Sequence, residues 1–127
     1  MKKAPAEIQR IVWAVLRNGT ANCILIQPEP LGEIKKLLRD GRKASASVQE
    51  FLRNHAGDVF EAEVDPECKF YAAALYVMCP ERVENGVRRR MYVKFALNED
   101  RDDESLSDIT IIRFHKSTGS TSISRLP

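Results

Sequence analysis

The chain has no C-x-x-C pair, and its cysteines are an odd set: Cys23, Cys68 and Cys79. Such a set supports neither a disulfide framework nor a zinc site, and it fits buried free thiols acting as small hydrophobes. His55 and His115 are the only histidines, so no metal-spaced histidine pair exists. A Gly-rich phosphate loop and a G-x-S-x-G elbow are also missing, which removes the nucleotide-binding loop and the serine-hydrolase classes. No apolar run approaches a membrane span, and the opening MKKAPAEIQR has no apolar signal core. These absences lead us to expect a cytoplasmic protein with no membrane partner, no cofactor and no metal.

What is present describes an ordinary globular chain. With 127 residues, 43% hydrophobic and 30% charged, a single domain over 1-127 is expected, its Ser/Thr-rich end from 116 to 127 forming a flexible tail. The formal charge of +2 permits a polyanionic partner without demanding one. Acidic residues crowd into Asn98 to Asp108 (NEDRDDESLSD), which leaves the flanking segments more basic than the average. Glu99 to Glu104 could imitate a divalent-ion site, but Arg101 and Ser105 among them make solvated loop charge the better reading.

Periodicity then assigns the elements. Ile8, Ile11, Val12, Val15 and Leu16 form the stripe of an amphipathic helix over Ala4 to Arg17, with Asn18-Gly19 as its stop, and Trp13 beside the stripe reads as core. Cys23 to Gln27 is a short strand candidate bounded by Pro28-Glu29-Pro30. Leu31 to Asp40 repeats the helical pattern and ends at Gly41, and Ser47 with Glu50 fits a capping box opening a third helix that reaches Asn54 or His55.

From Asp58 the period is two, with Phe60, Ala62 and Val64 on one face, followed by a turn at Asp65-Pro66-Glu67. The next segment, residues 68–79, suits a strand or a helix capped by Asp65. The Asn85-Gly86 hairpin signal favours strand, because it needs a strand on both sides.

In the last two strands Met91, Val93, Phe95 and Leu97 form one face, matched by Ile112 and Phe114, while Tyr92, Lys94, Arg113 and His115 point the other way. The pattern predicts an α+β fold, N-terminal helices packed on one face of a mainly antiparallel sheet whose other face is open. If the two strands are neighbours, that face gathers Tyr92, Lys94, Arg113 and His115, with Arg88 and Arg90 extending it. Each residue alone is an ordinary occupant of a wet sheet face. Together they match what RNA phosphodiester cleavage needs: a base for the 2′-hydroxyl, cations for the charge on phosphorus and an acid for the departing 5′-oxygen. His115 suits acid or base work, Tyr92 or Lys94 can supply or orient a proton, and Arg113 or Arg90 can hold the phosphate.

The stretches ALYVMCPERVENGVRRRMYVKFAL and ITIIRFHKS resemble the closing part of the MqsR toxins, mRNA interferases related in fold to RelE. In that family a "YLK" strand precedes a final strand ending "SFK" or "SFH". The matching residues here are Tyr92-Val93-Lys94 and Arg113-Phe114-His115, and the resemblance covers about the last 50 residues, with looser support from EIKKLLRDGR. It implies a RelE-like fold, a metal-independent endoribonuclease acting on mRNA, and neutralisation by a cognate antitoxin. Tyr92 stands at the family's active-site tyrosine and His115 at its closing Lys or His. Lys94 and Arg113 complete the candidate catalytic set, and Arg88, Arg89, Arg90 and Lys116 are the candidate RNA-binding residues. Glu61 and Glu63 occupy the strand where the family carries a Lys, and its Gln falls near Ala72 or Ala73. The competing expectation is a non-enzymatic protein-binding module, toxin-related or phage-borne, acting through its sheet edge or open face.

Overall fold

The computed structural model describes residues 2–38, 41–62 and 74–116. Helix α1 spans Ala6–Asn18 and buries Ile8, Ile11, Val12, Val15 and Leu16, the stripe expected from the sequence. It stops at Gly19, where the backbone passes so close to the Val15 and Ser105 carbonyls that a Cβ would lie 2.6 and 2.8 Å from their oxygens. The buried Gln49 amide donates to the Val15 and Gly19 carbonyls at 3.1 and 2.7 Å, supplying donors that the helix end lacks.

Strand β1 (Ile24–Ile26) leads into helix α2 (Pro28–Leu37), followed by helix α3 (Ala44–His55). Both helices start earlier than their sequence signals suggested. Pro28-Glu29-Pro30, read as a boundary, is the first turn of α2, where a missing proline N–H would have had no partner in any case. Ser47 is not an N-cap: α3 opens after Lys43, and Ser47 is buried one turn inside it, its amide donating to the Lys43 carbonyl at 3.1 Å. The buried face of α3 (Ser47, Val48, Phe51, Leu52) supports helix back to Ala44, so the apparent capping box lies within the element.

The strands that follow are β2 (Val59–Glu61), β3 (Ala74–Met78), β4 (Glu81–Glu84), β5 (Val87–Asn98) and β6 (Asp108–Lys116). The ambiguous segment is thus strand over Ala74–Met78, while residues 68–73, Val64, the turn at Asp65 and the tail beyond Lys116 lie outside the described residues. The sheet order is β1-β6-β5-β3-β2, with β4 also paired to β5. β1 runs parallel to β6 and the remaining pairs are antiparallel, giving an α+β domain of three helices and a mixed, mainly antiparallel six-stranded sheet among the described residues.

One sheet face (Ile24, Val59, Tyr76, Met78, Met91, Val93, Phe95, Leu97, Ile109, Ile111, Phe114) joins the apolar residues of the helices in a single core. Phe51 of α3 meets Phe114 edge-on at 5.7 Å between ring centroids. Trp13 packs partly buried against this core, with the Arg17 guanidinium 4.9 Å from its ring centroid.

Two expectations about the sheet are corrected. Ile112 is not on the core face: the register slips between Lys94 and Phe95 so that Lys94 pairs with Arg113 and Phe95 with Ile111, leaving Ile112 as an unpaired bulge residue. Core contact passes from Ile111 to Phe114 across that slip. Nor is the second face open throughout. Phe60, Val77, Lys94 and Ala96 are all buried there, Lys94 being only 6% exposed. Phe60 pairs with Val77 and Val77 with Lys94, so an apolar row runs across the strands and the aliphatic stem of Lys94 continues it.

Candidate functional site

The register of β5 against β6 gathers the four candidate catalytic residues on two neighbouring rungs. Tyr92 pairs with His115 and Lys94 with Arg113, and strict alternation places all four on the second face. The Tyr92 and His115 rings are stacked, with centroids 5.2 Å apart and planes inclined by 21°. His115 Nδ1 lies 3.0 Å from the Lys116 carbonyl oxygen. A carbonyl can only accept, so this contact places the proton on Nδ1 and leaves the neutral ring's lone pair on Nε2. His115 is exposed and Tyr92 half-buried, so the stack sits where the sheet reaches solvent, with Lys94 one rung further in.

Helix α2 supplies two carboxylates that sequence reasoning missed. Arg113 Nη1 lies 3.7 Å from Glu29 Oε1. A cleft of about 140 Å³ between α2 and β6 is lined by Glu29, Pro30, Glu33, Ile112, Arg113, Phe114 and His115. Glu29 had been placed in a proline-rich connector, and no periodicity links it to a strand more than eighty residues away in the chain.

The candidate RNA-binding residues do not form one patch. Arg88 and Arg90 alternate onto the same face as Tyr92, whereas Arg89 faces the opposite side, opposite Arg82 in the ladder. Lys116 pairs with Met91 and falls on the core side of β6, away from His115. Arg90 is also engaged, its Nε and Nη2 donating to Glu81 Oε1 at 2.8 and 2.5 Å. Arg88 and Arg89 are exposed.

The acidic connector braces itself and α1. Asp100 accepts the Asp102 and Asp103 amides at 2.9 and 3.0 Å, Asp103 accepts the Ser105 amide at 3.0 Å, and Glu104 forms a two-pronged pair with Arg10 at 3.0 Å. Among the described residues, no group of three or more His, Cys, Asp or Glu side chains is arranged to hold a metal ion.

A second cleft, of about 280 Å³, lies at the start of β4 and is lined by His55, Gly57, Asp58, Phe60, Cys79, Glu81 and Arg90. Burial pushes the Cys79 thiol above its ordinary range, and the Arg90 charge partly opposes this. The Tyr76 phenol is likewise raised, chiefly by burial and then by the charges of Glu99 and Glu61.

The fold and these side chains define a small α+β domain with a histidine, a tyrosine, a lysine and an arginine on two adjoining rungs of one sheet face. No helix among the described residues is long and apolar enough to cross a membrane. Comparison with protein-family models, curated proteins and solved structures finds no match to this chain.

Proposed function

We propose that the protein is a metal-independent endoribonuclease toxin that cleaves mRNA and is neutralised by a cognate antitoxin protein. The observation that carries this reading is the stacked Tyr92–His115 rung beside the Lys94–Arg113 rung. His115 Nε2, exposed and free of the Nδ1 proton, takes the proton of an RNA 2′-hydroxyl. The resulting oxygen attacks the adjacent phosphorus and closes a 2′,3′-cyclic phosphate. Arg113 stabilises the negative charge on the phosphoryl oxygens, the Tyr92 hydroxyl protonates the departing 5′-oxygen, and the Lys94 ammonium, buried one rung further in, adds positive potential behind them. Stacking on Tyr92 holds the imidazole plane, and the exposed Arg88 continues the cationic surface along the same face of β5.

The test is incubation of the purified protein and its His115→Ala variant with a long single-stranded RNA in EDTA, followed by mapping of the new ends. Wild-type cleavage leaving 2′,3′-cyclic phosphates is expected, with a loss in the variant of about 10²-fold or more. Because His115 is exposed, the variant should melt within about 0.5 kcal/mol of the wild type. Equal cleavage by both proteins removes His115 from the mechanism. Absence of cleavage, with and without ribosomes, overturns the nuclease reading.

A further inference from the structure

Among the described residues the outer side of β4, like that of β1 at the far end of the sheet, has no strand beside it. β3 and β4 lie end to end along the same side of β5, separated only by Cys79-Pro80. β2 covers β3 at Tyr76–Met78, and the N-terminal segment in turn covers β2: the Ala4 amide donates to the Val59 carbonyl at 2.9 Å and the Glu61 amide to the Lys2 carbonyl at 2.8 Å. Before Val59, however, the chain leaves this lane through Gly57 and Asp58 toward α3, so β4 pairs with β5 alone among the described strands.

The ladder fixes which backbone groups that edge presents. The two-residue turn at Asn85-Gly86, with φ of 50° and 79°, makes Glu84 and Val87 a hydrogen-bonded pair. Alternation then makes Arg82 and Arg89, and Pro80 and Met91, hydrogen-bonded pairs. The last is seen directly in the Met91 amide donating to the Pro80 carbonyl at 2.8 Å. Glu81 and Val83 fall between, so their N–H and C=O groups point outward, at the spacing an added strand would pair with. Val83 is 68% exposed and Val87 50%.

We propose that the outer edge of β4 docks an extended acidic segment of a partner protein, which adds as a further strand in the lane that β2 vacates. Arg90 holds Glu81 within the hairpin, so the charge offered outward comes from Arg88 and Arg89, exposed on its two faces, and an added strand bearing carboxylates is complementary. A second copy would bring one arginine-rich hairpin against another, which disfavours self-pairing. At the start of the lane, the cleft of about 280 Å³ lined by Phe60, Cys79, His55 and Arg90, with Asp58 and Glu81, gives room for a side chain of the added strand. The inference holds whether or not the Tyr92–His115 rung cleaves RNA.

The probe is the blocked hexapeptide Glu-Val-Glu-Val-Glu-Val, titrated to about 1 mM against the full ¹⁵N-labelled chain. Shifts centred on Glu81 to Val83 are expected, with amide exchange at Glu81 and Val83 slowed on binding. Val83→Pro removes one outward N–H and leaves the ladder to β5 intact, because that amide points away from β5. Its spectrum should be unchanged elsewhere and its affinity lower by about tenfold.

Glu81 and Val83 amides already protected in the free protein would overturn the proposal, as would shifts confined to other strands or no shift at 1 mM. So would equal binding by Val83→Pro, or tighter binding of the lysine-for-glutamate peptide. Concentration-dependent shifts of the protein alone would replace the partner with a second copy. Oligouridylate moving these residues while the peptide does not would make the edge a nucleic-acid surface.

Discussion

Gly19 is required by its neighbours rather than by its backbone angles. Its φ of −74° suits any residue, but the Val15 and Ser105 carbonyl oxygens leave no space for a Cβ. Both are backbone atoms, one in α1 and the other in the connector that Arg10 and Glu104 tie to α1, so neither can swing aside as a side-chain tip would. Gly19→Ala should therefore destabilise the protein by about 1–3 kcal/mol, read as a lower urea midpoint with an unchanged slope. The sequence reading had Gly19 only as a helix stop, because a close approach between residues distant in the chain leaves no local pattern. Tyr92, Lys94, Arg113 and His115 were legible for the opposite reason: alternation along a strand fixes a side chain's face from neighbouring residues alone. The burial of Lys94 and the approach of Glu29 to Arg113 depend on packing across the fold, and no spacing in the sequence encodes them.

Local turn chemistry decides the β4–β5 hairpin. Asn85 and Gly86 both adopt positive φ, as a two-residue hairpin turn requires, and only Gly does so without steric cost. Nothing stands within 4 Å of a Cβ built on Gly86, so substitution there meets conformational strain alone. Gly86→Val should cost about 1–2 kcal/mol and loosen the Glu84–Val87 end of the ladder first, visible as faster amide exchange in β4 than in β3. This hairpin was readable because its signal is two adjacent residues. The bulge at Ile112 was not, since ITIIRF offers apolar residues in both strand phases and only the partner strand selects between them. The helices divide in the same way. α1 follows from its stripe and stop, whereas the starts of α2 and α3 are set by burial of Pro30 and Ser47 against the rest of the domain.

The whole molecule adds what no segment specifies: the parallel pairing of β1 with β6, which extends a sheet expected to be mainly antiparallel, and the enclosure of two weak acids by strands from different parts of the chain. Tyr76 lies within the core cluster, and Cys79 lines the cleft where β3 gives way to β4. For both groups burial is the first cause of a raised pKa, because a phenolate or thiolate would lose its water. The sign of the pH dependence follows. In the unfolded chain the thiol and phenol ionise near their ordinary values of 9.0 and 10.0, while in the folded chain both hold their protons to higher pH. The contribution to stability is thus fully present below those ordinary values and is lost as pH rises through the folded ones. Urea unfolding should give a midpoint that falls above pH 9, first as the unfolded thiol ionises and then more steeply above pH 10. Cys79→Ala should flatten the first part of the fall and Tyr76→Phe the second, each independently of any effect on stability at pH 7. If both variants retain the full alkaline slope, neither Cys79 nor Tyr76 is the source of the pH dependence, and their enclosure by β3 does not hold their protons as argued.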